Sequence, residues 1–127
     1  MAGYSFEDLE VYKEGREYRK KMYALSKRLP SEEKYNVANQ IRDAARSLTN
    51  NIAEGHGRFH YQENIRFLRL ARGSLEELVD DINICIDEQY ADVKALMRLK
   101  EEGFQLLHRM NGYIAYLKGR KQADTAN

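Results

Sequence analysis

Three histidines, one cysteine and several runs of arginine are the side chains here whose type and spacing could do chemistry. His56 and His60 lie four residues apart, a spacing that on one helical face would suit a metal ion or an acid–base pair. Gly57 stands between them, inside the turn-like string Gly55-His56-Gly57-Arg58-Phe59-His60, which argues against a shared helix. A nuclease built on these imidazoles would rest on two residues alone. A di-iron centre of the helical-bundle kind needs Glu-x-x-His pairs. Glu63 is followed at the third position by Arg66, and Glu102 by Gln105, so no metal and no cofactor is expected. His108 stands alone. Cys85, among Ile82, Ile84 and Ile86, reads as an inert core thiol. A lone cysteine also excludes an internal disulfide framework and a multi-cysteine zinc site. The expectation is a protein that is not an enzyme.

The arginines are more informative. The formal net charge is only +1, but it conceals a segregation. Residues 13–28 hold seven basic and two acidic side chains, residues 34–72 seven and three, and residues 73–93 none and seven. Arg42, Arg46 and Asn50 follow a four-residue step, and Arg66, Arg69 and Arg72 a three-residue step, each along one side of a helix. Arg58, Lys118, Arg120 and Lys121 join them where helix ends should meet. Basic arrays of this kind neutralise phosphates, the sequence-independent part of nucleic-acid affinity. Equally, they can form salt bridges between subunits. Phe59, Tyr61 and Tyr113 fall near the same pole, where aromatic rings either stack on unpaired bases or fill helix ends.

The elements that must position these residues are all helical. Apolar or small residues recur as Val11, Gly15, Tyr18, Met22, Leu25, Leu29, then as Val37, Ile41, Ala44, Leu48, Ile52. Ser5 with Asp8 reads as a capping box starting the first helix near Phe6, and Pro30 stops it. Ser31 is the expected cap of the second helix, and Gly55 its expected positive-φ terminator. The third helix, about Tyr61–Asp87, carries one stripe at Ile65, Leu68, Ala71, Leu75, Val79, Ile82, Ile86 and a second at Phe67, Leu70, Ser74, Leu78. That breadth predicts cover by another subunit, making Phe67, Leu70, Ser74 and Leu78 the candidate oligomer interface. Asp92 caps a fourth helix facing inward through Leu96, Leu99, Gly103, Leu107, Met110, Ile114 and Leu117. Gly15, Gly73 and Gly103 mark expected close helix crossings. The reading is an antiparallel up-down-up-down four-helix bundle over residues 1–117, with 118–127 a polar, frayed C-terminal tail.

A chain of 127 residues with 32% charged residues and a single proline fits one folded helical domain rather than a disordered or low-complexity chain. No apolar run approaches the ~18 residues of a membrane span. The opening MAGYSFEDLE is acidic where a signal peptide would be basic. A cytoplasmic protein without membrane association is expected.

The stretch Gln40–Arg58, QIRDAARSLTNNIAEGHGR, together with Arg66–Leu78, RFLRLARGSLEEL, resembles the bacterial four-helix-bundle family named for proteins encoded in intervening sequences of 23S ribosomal RNA genes. The opening FEDLEVYKEG and the junction Leu29–Tyr35 match as well, so the likeness runs from about Tyr4 to Leu117. The resemblance implies an antiparallel bundle that assembles into a homo-oligomer, a pentamer being favoured, with no established enzymatic activity. It extends to the accessory variability determinant of diversity-generating retroelements, a basic pentamer that binds nucleic acid and a reverse transcriptase. Two expectations follow. In the first, an oligomeric accessory protein engages RNA or DNA, beside a reverse transcriptase, through Arg42, Arg46, Arg58, Arg66, Arg69, Arg72, Lys118, Arg120 and Lys121. In the second, the same charges set subunit register and partner choice in a protein-interaction scaffold that binds no nucleic acid.

Overall fold

The computed structural model describes the backbone of residues 4–126 and the side chains of residues 4–124. Four α-helices follow one another: α1 (Glu10–Arg28), α2 (Val37–His56), α3 (Tyr61–Asp87) and α4 (Val93–Ala126). Single 3-10 turns occupy Phe6–Asp8 and Ser31–Glu33, and there is no strand among the described residues. The all-α expectation holds, and the helices form a bundle. No helix among the described residues is long and apolar enough to cross a membrane.

Local chemistry explains most of the boundaries. The capping box at Ser5 is present: its Oγ accepts from the Glu7 amide at 3.1 Å, and its own amide donates to Asp8 Oδ2 at 2.8 Å. It opens the 3-10 turn rather than α1, which begins only after Leu9 has passed through an extended conformation. Leu29, held extended by Pro30, closes α1 as expected. Ser31 does not cap α2. Its carbonyl is taken by Lys34 in a tight turn, and α2 starts behind Asn36. Asp92 does cap α4, its Oδ2 accepting from the Ala95 amide at 3.0 Å.

Two departures concern glycines. Gly55 sits inside α2 with no positive φ, contrary to its expected role as terminator. A Cβ there would lie 2.7 Å from Asn64 Oδ1 and 2.9 Å from Phe67 Cβ, so the missing side chain lets α3 come close directly after a short turn. Gly103 plays the corresponding part between α1 and α4. Its absent Cβ leaves room for the Tyr18 hydroxyl, 2.6 Å from where that carbon would be. The hydroxyl itself donates to the Leu99 carbonyl at 3.1 Å. Gly73 does not mark a crossing: nothing lies within 4 Å of the position a Cβ would take.

The core follows the predicted stripes. Met22, Ile41, Leu48, Ile52, Leu68, Leu75, Ile82 and Met110 are fully buried. Each side chain of that size contributes about 1.5–3 kcal/mol by leaving water. The second stripe of α3 needs correction. Leu78 is 0% exposed within the single chain, and Ser74 Oγ meets Ser47 Oγ of α2 at 2.9 Å. Phe67 is half-buried, with its Cβ close against Gly55. The breadth of the apolar face arises because α3 packs on α2 and α4 at once. Of the four, Leu70, 48% exposed, is the most accessible to an outside contact, while Phe67 and Ser74 are only partly covered. The final departure is in α4, which stays helical through residues 118–126, where fraying was expected. Lys121 Nζ donates to Gln62 Oε1 of α3 at 3.2 Å and ties this stretch down.

Candidate nucleic-acid interface

The first turns of α3 and the last turns of α4 border a shallow crevice of about 320 Å³. Gln62, Ile65 and Arg69 face it from α3, a spacing of three and four residues that keeps them on one side of the helix. Lys118, Lys121 and Gln122 face it from α4. Ile65 and Leu117, both nearly buried, hold the helices together beneath. Three cations and two amides thus line the crevice, and no carboxylate does. Beside it Arg120 hydrogen-bonds the phenol of Tyr61, which holds the guanidinium pKa above its ordinary value. Such a lining offers hydrogen-bond donors and positive charge together, which is what a phosphate requires.

Arg58 and Arg66 gather nearby in a different arrangement. Their guanidinium carbons stand 4.9 and 4.5 Å from the centroid of the Phe67 ring. Each also meets a carboxylate of its own helical neighbourhood, Arg58 with Glu54 at 2.6 Å and Arg66 with Glu63 at 3.0 Å. These pairs are solvent-exposed and contribute little to stability, about 0–1 kcal/mol each. They do lower the charge available to a ligand. The aromatic residues of this pole divide sharply. Tyr61 and Tyr113 pack against the core, and burial raises the Tyr113 pKa. Phe59, in the turn between α2 and α3, is 100% exposed.

The other predicted arginines lie elsewhere. Arg42 is about 21 Å from His56 along α2 at 1.5 Å per residue. Its guanidinium reaches Ser26 Oγ of α1 and Asn39 Oδ1, both at 3.5 Å. Arg46 pairs with Asp43 at 2.7 Å, and Arg72 donates to Asn111 Oδ1 of α4 at 2.9 Å. The nine candidates are therefore not one surface. Arg69, Lys118 and Lys121 share a crevice, Arg58 and Arg66 share a ring, Arg120 adjoins both helices' ends, and Arg42, Arg46 and Arg72 are spent on contacts within the subunit.

The basic stretch of α1 is compensated in the fold. The groove between α1 and α4, about 380 Å³, is lined by Lys13, Lys21 and Arg109 but also by Glu14, Glu17 and Glu102. Lys21 meets Glu102 at 2.9 Å and Arg109 meets Glu14 at 2.7 Å, while Arg19 donates to Thr49 Oγ1 of α2 at 2.7 Å. Sequence reasoning missed this cancellation because each ion pair joins a residue of α1 to a distant one of α4. It also missed Gln62 and Gln122, which carry no charge to draw attention.

The histidines do not form a pair on a helix. His56 ends α2 against the Tyr4 ring, with centroids 5.8 Å apart, and His60 is exposed ahead of α3. Among the described residues no group of three or more His, Cys, Asp or Glu side chains is placed to hold a metal. Burial pushes the Cys85 thiol up to about 11, helped by Asp81 and Glu33, so thiolate is scarce at neutral pH. Asp81, only 7% exposed, is raised to about 6 by its own burial and then by Glu77 and Asp80. The acidic end thus resists ionisation at one buried site.

A family model described as 23S rRNA-intervening sequence protein matches residues 7–112. No curated protein matches the chain. The matched stretch takes in α1, α2, α3 and the first part of α4, and it stops short of Lys118, so the α4 wall of the crevice lies outside it.

Proposed function

We propose that this chain, which belongs to the 23S rRNA-intervening sequence protein family, is a non-enzymatic nucleic-acid-binding protein working as a homo-oligomer of antiparallel four-helix bundles. The observation that carries the reading is the α3–α4 crevice, where Arg69 and Lys118 face each other's helices beside Lys121 and, among the described residues, no carboxylate belongs to the lining. Phosphate is the ligand class that such a lining favours, and RNA is the first polyanion to test. Exposed apolar residues favour self-association: Val93, Met97 and Phe104 on α4 and Leu70 on α3 are each about half exposed. A ring of five, the assembly implied by the sequence resemblance, would repeat the crevice around an axis and raise avidity for a long polyanion. A reverse transcriptase is the protein partner to test beside RNA, on the strength of that resemblance.

A salt titration of RNA binding tests the reading. With three phosphate contacts per subunit, the slope of log K against log salt should be about −2 for a single strand. Absence of binding at low salt would refute it. The mixed-charge α1–α4 groove favours a second reading, a protein-interaction scaffold without nucleic acid. In that case Arg69→Ala with Lys118→Ala would leave RNA retention at background and disturb only protein contacts.

A further inference from the structure

We infer that the turn between α2 and α3 is a stacking platform for an unpaired base, with Phe59 beneath the base and the Arg69–Lys118–Lys121 crevice holding the adjoining phosphates. The inference rests on the nucleic-acid reading above and narrows it to single-stranded segments. Two phenylalanines at this pole show why Phe59 is the residue concerned. Phe67 is half-buried, with Arg58 and Arg66 already set against its ring. Phe59 is fully exposed, and no described residue covers it. It therefore contributes nothing to the core by burial. Its chain neighbours, Arg58 and His60, are also exposed, so the ring stands on a polar tip rather than in an apolar patch suited to a protein partner.

The reach is adequate. Gln62 lines the crevice and is three residues along from Phe59, so the two Cα atoms lie within about 10 Å. That is at most three nucleotide steps, the number reached only at the ~3.4 Å per-strand rise of a fully stacked helix. One strand can thus lay phosphates along Lys118, Lys121 and Arg69 while a base one to three positions away rests on the ring. A duplex keeps its bases stacked on each other and offers Phe59 no π-face, although it still offers phosphates to the crevice. Aromatic stacking of this sort tolerates any base.

The experiment compares a fluorescent oligoadenylate of about 12 nucleotides, within the usual site sizes for single strands, with a duplex of equal length. Binding is read by anisotropy at low salt, and the mass of the assembly by sedimentation. The full chain should prefer the single strand. Phe59→Ala should weaken single-strand binding at least fivefold, leave duplex binding and mass unchanged, and be rescued by Phe59→Tyr. Arg69→Ala with Lys118→Ala should weaken both probes. A Phe59→Ala protein that loses both probes equally, or neither, would overturn the platform while leaving the phosphate crevice standing. A change in mass on Phe59→Ala would overturn it too, by placing the ring against another copy of the chain. Failure of the full chain to bind either probe would remove the nucleic-acid reading itself. Because the ring touches nothing in the subunit, loss of folding does not complicate the outcome.

Discussion

Helix α4 borders two grooves with equal numbers of cations and opposite character. On the α1 side, Lys13, Lys21 and Arg109 are interleaved with Glu14, Glu17 and Glu102. On the α3 side, Arg69, Lys118 and Lys121 share the lining with Gln62, Ile65 and Gln122. A census of basic residues would favour the α1 side, since residues 13–28 are the most basic stretch of the chain. The fold reverses the ranking, because Glu102 and Glu14 neutralise Lys21 and Arg109 across α1 and α4. What matters for a polyanion is positive charge without a nearby carboxylate. Tertiary pairing decides that.

The largest expected effect breaks the comparison directly. Replacing Arg69 and Lys118 by alanine should weaken RNA binding about 30- to 100-fold at low salt and flatten the salt slope, with little change in Tm. Losing the same number of cations from the other groove, Lys13→Ala with Lys21→Ala, should alter RNA binding less than about twofold. Equal losses from the two would show that the grooves do not differ.

Asp81 extends the contrast to a carboxylate placed in the core. Its folded pKa, about 6, lies above the ordinary 3.8. The folded state therefore holds the proton longer than the unfolded chain, and stability falls as pH rises from about 4 to about 6. Asp81→Asn should raise unfolding stability by about 1–3 kcal/mol near pH 7.5, and the gain should vanish below about pH 4. Chemical denaturation at the two pH values is the check.

Gly103→Ala sharpens the structural half of the comparison. The added carbon would meet the Tyr18 hydroxyl and Val79 Cγ2 at 2.6 and 2.9 Å. Stability should fall by about 1 kcal/mol, the steric cost being partly offset by the better helix propensity of alanine. RNA affinity should stay unchanged, because none of Tyr18, Val79 and Gly103 lines the α3–α4 crevice. The smallest effect is expected for Glu102→Gln. Removing this half-exposed partner of Lys21 should cost about 0.5 kcal/mol or less in thermal melts. It should also free one cation in the α1–α4 groove, and any gain in RNA affinity should stay below twofold.

Helix existence and inward faces were legible in the sequence, because apolar spacing is a local and repeated signal. Met22, Ile41, Leu75 and Met110 lie where their stripes put them. The misreadings share one cause, which is that they turned on contacts between distant residues. Gly55 reads as a terminator until Asn64 and Phe67 of α3 are seen beside it. Leu78 reads as surplus apolar surface until α2 and α4 both close over α3. The end of α3 at Asp87 lies where the sequence reading put it, but the turn that closes it was not legible. It finishes in a left-handed turn at Gln89, φ 58°, with the Tyr90 amide bonded to the Cys85 carbonyl at 2.9 Å, a geometry usually announced by glycine. Of the candidate site, the basic character of α3's first turns and of residues 118–121 was legible. The sorting of the nine cations between the crevice and contacts elsewhere in the subunit was not, because it depends on Glu54, Glu63, Asp43, Asn111 and Ser26 reaching them in the fold.

The bare ring at position 59 has a practical consequence. The chain contains no tryptophan. Phe59→Trp would therefore install a lone indole fluorophore at the tip of the bundle without disturbing the core, and its emission, excited on the red edge where the nine tyrosines absorb little, would report occupancy of that spot.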